Sequence, residues 1–231
     1  MTPGTIKTIL VMANSIKKGG RCVAGLEITP VDQYDLSRWI RPVDPDQDEG
    51  TIPNHRIMVA GRQLKPLDRV KIRFRGPSND PFHPEDLEID TSHEWQPDGA
   101  MTLEILASLP DESGDLWGPS SATSRRVIPQ ANIKTLRLVK PKGACHVTAY
   151  REETPTGIKH RRLLHIEHQG LIHQFSIDDP YFSVRHNLSP LAVGDRNVRI
   201  DLDPSRTIVV TSLTKPFKGY QYKIAATIFE L

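Results

Sequence analysis

Three short segments of the chain combine cations with glycines or aromatics in patterns that suit recognition of phosphates and bases. The first is Asn14-Ser15-Ile16-Lys17-Lys18-Gly19-Gly20-Arg21. Paired glycines let backbone amides approach a phosphate closely, and Lys17, Lys18 and Arg21 supply charge. The glycine spacing and closing Lys-Ser/Thr pair of a Walker loop are absent, and a solvated hairpin turn accounts for the same residues. The second is Trp39-Ile40-Arg41-Pro42-Val43, preceded by Arg38. Period two on a strand puts Trp39 and Arg41 on one face. If exposed, that pair would stack a base and hold its phosphate; a core Trp with an Arg lying beside it gives the same pattern. The third runs from Ser212 to Lys223 and interleaves Lys215, Lys218 and Lys223 with Phe217, Tyr220 and Tyr222 around a Pro/Gly turn. Such interleaving suits single-stranded nucleic acid; the alternative is an ordinary hairpin with Tyr222 packed inside.

Catalytic and metal constellations are weak, and neither a catalytic residue nor a metal or other cofactor is expected. His165, Glu167, His168 and His173 cluster in sequence, but period two sends His165 and His168 to opposite faces of a regular strand. Cys22 and Cys145 each sit in an apolar strand and read as core residues. Asp44, Asp46, Asp48 and Glu49 lack the glycine and closing Glu of a calcium loop and read as an exposed turn.

The elements that must position these segments are mostly strands. Residues 6–13 and 21–28 form apolar runs of strand length, joined by the Asn- and Gly-bearing connection of a hairpin. Residues 36–43 carry Trp39. Residues 70–74 alternate, with Val70, Ile72 and Phe74 on one face and Lys71 and Arg73 on a basic outer one. A Pro-rich acidic stretch then breaks the pattern, and residues 101–109 are the best short helix. A second strand series occupies residues 133–139, 145–150, 162–168, 171–177, 198–202, 207–213 and 222–229, with Gln169-Gly170 as a tight turn.

Many short strands between Gly, Pro and Asp turns predict an all-β fold. The expectation is two tandem OB-like small β-barrels, a loop-rich acidic segment and at most one or two short helices. The 231 residues allow two small domains, and the break in strand density and charge divides them as 1–120 and 121–231. Charge is segregated: residues 76–118 hold eleven acids and no Lys or Arg, whereas residues 122–175 hold ten Lys or Arg and three acids. Such blocks can make one face that attracts phosphates and one that repels them, or simply aid solubility. No stretch approaches the ~20 apolar residues of a membrane span. The N-terminus shows no secretion signal, and two distant cysteines suit a reducing cytoplasm.

Residues 12–25 together with Trp39-Ile40-Arg41-Pro42-Val43 resemble the opening of the dual OB-containing (DuOB) domain family of bacteria. The segments 211–213, 217–220 and 222–226 look like its C-terminal signature. The resemblance implies two OB-like barrels and a nucleic-acid-binding role, in bacterial defence or another conflict system; it carries over no catalytic residue. The leading expectation is a non-catalytic binder of single-stranded DNA or RNA with a protein partner encoded nearby. Its site would comprise Asn14, Ser15, Lys17, Lys18, Arg21, Trp39, Arg41, Lys215, Lys218, Tyr220 and Lys223. The competing readings are a regulator with a small-molecule or modified-nucleotide pocket, and an accessory scaffold for a partner enzyme.

Overall fold

The computed structural model describes residues 4–17, 19–29, 34–114, 116–118, 133–155, 157–188 and 197–231, with backbone alone for 34–37. The chain forms two compact units: Met1–Pro110 with Pro129–Leu136, and Asp111–Ile128 with Arg137–Leu231.

In the first unit the strands are β1 (Thr5–Lys17), β2 (Gly20–Ile28), β3 (Tyr34–Val43), the short pair β4 (Met58–Val59) and β5 (Arg62–Gln63), β6 (Asp68–Pro77), β7 (Asp86–Ile89) and β8 (Gln96–Ala100). The order β1-β2-β3-β7-β6 closes on itself because β1 also pairs with β6. Every pairing in that ring is antiparallel except β3–β7, which is parallel. A closed five-strand ring of this kind is an OB barrel, and closure removes the exposed edges of an open sheet. Alternation fills it: Ile9 and Val11 on β1, Val23 on β2, Ile40 on β3, Val70, Ile72 and Phe74 on β6, and Leu87 and Ile89 on β7 form one core. The helix expected over 101–109 is one short turn, α1 (Glu104–Ser108), held by buried Leu106.

The second unit repeats the plan. Its strands are β9 (Leu136–Val139), β10 (Cys145–Thr154), β11 (Gly157–His168), β12 (Leu171–Ile177), β13 (Val198–Asp201), β14 (Thr207–Leu213) and β15 (Lys223–Glu230). Within the order β13-β10-β11-β12-β15-β14-β9 lies the same five-strand succession, again with one parallel pair, β12–β15. Among the described residues, β13 and β9 flank the ends of this succession. Gln169 (φ 50°) and Gly170 (φ 75°) make the tight turn that sets His168 opposite Leu171. The helix α2 (Pro180–Arg185) starts on Asp179, whose carboxylate accepts from the amides of Tyr181 (2.8 Å), Phe182 (3.0 Å) and Ile228 (2.8 Å). No helix among the described residues is long and apolar enough to cross a membrane.

Candidate nucleic-acid interface

OB-folds bind oligonucleotides with the face of their second and third strands and with the loops joining the first to second and fourth to fifth strands. In the second unit the fourth-to-fifth connection is the segment between β14 and β15, which contains Lys215, Phe217, Lys218 and Tyr220. Phe217 and Tyr220 exchange backbone hydrogen bonds of 2.7 and 3.1 Å. The two residues between them, Lys218 (φ 52°) and Gly219 (φ 82°), are both left-handed, so the tip is a two-residue turn of the primed hairpin class. Residues opposed across such a turn project to the same face. Phe217 and Tyr220 are therefore neighbours, 61% and 49% exposed, with the Lys218 ammonium 5.5 Å from the Phe217 ring centre. The base of the loop is fixed. The Thr214 amide donates to the Tyr222 carbonyl (3.0 Å), the Tyr222 amide to Thr214 Oγ1 (2.9 Å), and fully buried Gln221 donates to the Thr214 carbonyl (3.0 Å).

Lys223 does not join this face. It is wholly buried, donates to the Leu116 carbonyl at 3.3 Å and lies 5.6 Å from the Phe175 ring centre. It caps the inside of the unit, because β15 alternation turns it inward while Tyr222 stays half-buried.

In the first unit the expected platform is corrected. Trp39 and Arg41 do share a face of β3, but that face is covered: they are 7% and 4% exposed. The Arg41 guanidinium lies 2.9 Å from Glu85 and 3.1 Å from Asp86, and donates to Thr135 Oγ1 at 3.2 Å. Thr135 in turn donates to Glu85. Burial pulls the Arg41 pKa down, but the two carboxylates outweigh it and hold the guanidinium above its usual value. The group ties β3 to its parallel neighbour β7, as a paired buried charge must. Asn14 and Ser15 are corrected likewise. Both are buried, with Asn14 donating to the Leu64 carbonyl (2.7 Å) and Ser15 to the Cys22 carbonyl (3.5 Å).

Of the paired glycines, Gly19 takes a left-handed backbone (φ 86°) and Gly20 serves a close backbone contact within the fold. A side chain on Gly20 would put its Cβ 2.5 Å from the Ile52 carbonyl oxygen, next to the paired hydrogen bonds of Arg21 with Ile52 (2.8 and 2.9 Å). Lys17 reaches the Glu49 carboxylate (3.1 Å), and Arg21 donates to Asn54 Oδ1 at 3.4 Å. Lys18 lies outside the described residues.

Asp80, His83 and Asp86, in and after the β6–β7 connection, bring ligand atoms within 4.8 Å of one another. Sequence reading passed over them as part of a Pro-rich acidic stretch. Burial, then the Arg41 charge, lowers the His83 pKa and keeps its imidazole neutral. Asp86 is already bonded to Arg41, whose fixed charge opposes an added cation. Asp86 and neutral His83 belong to the buried surroundings of Arg41, while half-buried Asp80 accepts from the Phe82 amide at 2.8 Å. Burial alone pushes the Cys145 thiol up to about 12, which makes it an inert core group.

With the strand orders of both units on the page, the family can be stated. A model of the dual OB-containing domain, DuOB, matches residues 7–228. The chain belongs to the DuOB family. The same five-strand succession in each of its two units agrees with the family's description as dual OB-containing. No curated protein matches the chain. Among solved structures it is similar to the tetrameric p202 HIN2, at 9% identity and TM-score 0.30, over 99% of this chain and 93% of that one. It is also similar to a murine DNA-binding protein bound to double-stranded DNA, at 10% identity and TM-score 0.31, over the whole of both chains.

Proposed function

We propose that this DuOB protein is a non-catalytic binder of single-stranded DNA or RNA, and that the loop between β14 and β15 is its contact with bases. The observation that carries this reading is the exposed Phe217–Tyr220 pair on a hydrogen-bonded two-residue turn beside Lys218. Two aromatic rings exposed at a loop tip bury little apolar surface in the fold, whereas bases stack on such rings with little sequence preference. Lys215 and Lys218 supply charge for the backbone. Lys17, Lys18 and Arg21 on the first unit form a second cationic segment within the same proposal. We also propose a reducing, cytoplasmic setting, which two free thiols support. Work beside a partner protein in a bacterial defence system is the wider setting that suits such a module.

The test is an anisotropy titration of labelled homopolymer DNA and RNA about 15 nucleotides long, at ~50 and ~200 mM salt. Affinity should fall with salt, because phosphate contacts release counterions. The double variant Phe217→Ala/Tyr220→Ala should lose roughly ten- to a hundredfold in affinity with its thermal midpoint unchanged. A double variant that binds like the parent would remove the loop from the site.

A further inference from the structure

The outward face of β10 and β11 in the second unit carries a histidine pair that spacing along one strand hides. Val147, Ala149, Leu164 and Ile166 turn into the core and are fully buried, while the alternate residues His146, Thr148 and His165 turn out and are half-buried. Period two sends His168 away from His165, but register sets His146 directly across from His165. The two rings stack with centres 4.5 Å apart and planes 2° from parallel. A transition ion holds each imidazole nitrogen at about 2.0–2.1 Å, so two nitrogens on one ion lie up to about 4 Å apart. The stacked rings need only small χ2 rotations to meet that spacing, and the χ2 well of His is broad.

The ring nitrogens are disposed as ligands. His146 Nδ1 is shielded from solvent and has no hydrogen-bond partner. A shielded polar atom without a partner is costly, and a bound cation removes that cost. His165 Nε2 lies 2.8 Å from Thr148 Oγ1. With its proton on Nε2 and donated to the hydroxyl, His165 presents a lone pair on Nδ1; an outer hydrogen bond of this kind fixes the tautomer of a metal-binding imidazole. Both rings are neutral at pH 7, the form that ligates. Burial, then the Arg199 charge, lowers the His146 pKa, and burial, then His146 and Arg199, lowers that of His165. Arg199 stands across from Thr148 on β13, and both of its contacts with Asp201, 2.9 and 2.8 Å, fall on one carboxylate oxygen. Asp201 stands across from His146 and its charge opposes that of Arg199 there.

We propose that His146 and His165 form a two-histidine site for a divalent transition ion such as zinc, with Thr148 as the positioning residue of His165 and water completing the sphere. Imidazole nitrogens suit zinc, copper and nickel, whereas the hard ions magnesium and calcium take oxygen. The strand ladder already holds both histidine backbones in register, so the ion orders only two side chains. Two protein ligands leave a tetrahedral sphere partly open, which makes the site an exchangeable one and not a closed structural one.

The experiment uses the full chain, stripped with a chelator and dialysed. Calorimetry with zinc at neutral pH, and with magnesium as the hard-ion control, is run on the parent, His146→Gln, His165→Gln, Thr148→Val, Thr148→Ser and His83→Gln. Assigned imidazole nitrogen NMR spectra of the parent are recorded with and without zinc. An unchanged metal-free thermal midpoint is the folding control for each surface variant. The parent should bind one zinc per chain and no magnesium, with the ring signals of His146 and His165 perturbed. Each of His146→Gln and His165→Gln should lose well over tenfold in affinity, Thr148→Val about tenfold, and Thr148→Ser and His83→Gln little. A parent that binds no zinc, or histidine variants that bind like the parent, would overturn the site, and an unaffected Thr148→Val would overturn the positioning role. If a histidine variant does not fold, the parent spectra decide: zinc that leaves either ring signal in place sinks the proposal. Zinc reports on this face alone, so its failure leaves the reading of the β14–β15 loop standing.

Discussion

Phe217 and Tyr220 face one another across Lys218 and Gly219, each donating its amide to the other's carbonyl, so one tight turn fixes two exposed rings as neighbours. The arrangement depends on the left-handed backbone at Gly219, φ 82°. Gly219→Val should splay the rings, because a β-branched residue is a steric outlier there. Oligonucleotide affinity should drop several-fold while the denaturation midpoint falls only modestly, since the backbone strain is confined to an exposed loop tip with nothing within 4 Å of the position a Cβ would occupy. Unchanged affinity in the anisotropy assay would show that the rings do not act as a pair.

Burial of Trp39 predicts a stability phenotype. Truncating a buried Trp costs about 3–5 kcal/mol, so Trp39→Ala should lower the unfolding midpoint of the first unit in urea. Oligonucleotide affinity, measured where the variant remains folded, should stay near the parent value. A stable Trp39→Ala protein with weakened binding would reinstate the exposed platform.

Arg41 and its carboxylates should behave as one unit. Arg41→Ala leaves Glu85 and Asp86 buried without their shared cation, a loss of about 3–5 kcal/mol. Introducing Arg41→Met together with Glu85→Gln and Asp86→Asn should cost clearly less than Arg41→Ala alone, because no charge is stranded. Equal urea midpoints for the two proteins would mean that the network has no coupling to lose.

His83 carries a pH dependence whose sign is fixed. Its folded pKa lies below the ordinary value of 6.5, chiefly through burial and next through Arg41. The unfolded chain therefore takes up a proton before the folded one does. The contribution of His83 is fully present above about pH 6.5 and is lost as pH falls below it. His146 and His165, stacked with ring centres 4.5 Å apart in the second unit, are lowered too and act in the same direction there. Between pH 7.5 and 5.5 the urea midpoint of the first-unit transition should fall less in His83→Gln than in the parent. An equal fall in both would assign the acid sensitivity elsewhere.

Most strands were legible because their residues alternate or run apolar for strand length. Residues 171–177 and 207–213 match β12 and β14 end to end. The β7 strand was not legible. It is four residues long, Asp-Leu-Glu-Ile, in an acidic stretch, and its Asp86 is buried only because Arg41 reaches it from 45 residues away. The same non-local pairing hid the role of Arg41: a strand pattern shows which residues share a face, not what covers it. Lys223 misled for a related reason, since its alternation is inward but its type is that of a surface residue. In the third segment Lys-Gly between two aromatics spelled out the turn itself, and there the sequence pattern and the geometry agree.

Closure of the first ring has a kinetic side. In both units the first three strands of the five-strand succession are successive antiparallel neighbours, so each finds a partner soon after it is made. In the first unit, Ile9 of β1 must also wait for Val70 of β6, and Arg41 of β3 for Asp86 of β7. At about 5–20 residues per second of synthesis, the apolar run of β1 spends several seconds with one side paired to β2 and the other open. That half-finished sheet is the moment at which the nascent chain is most exposed to pairing with a neighbour, and it ends when β6 arrives.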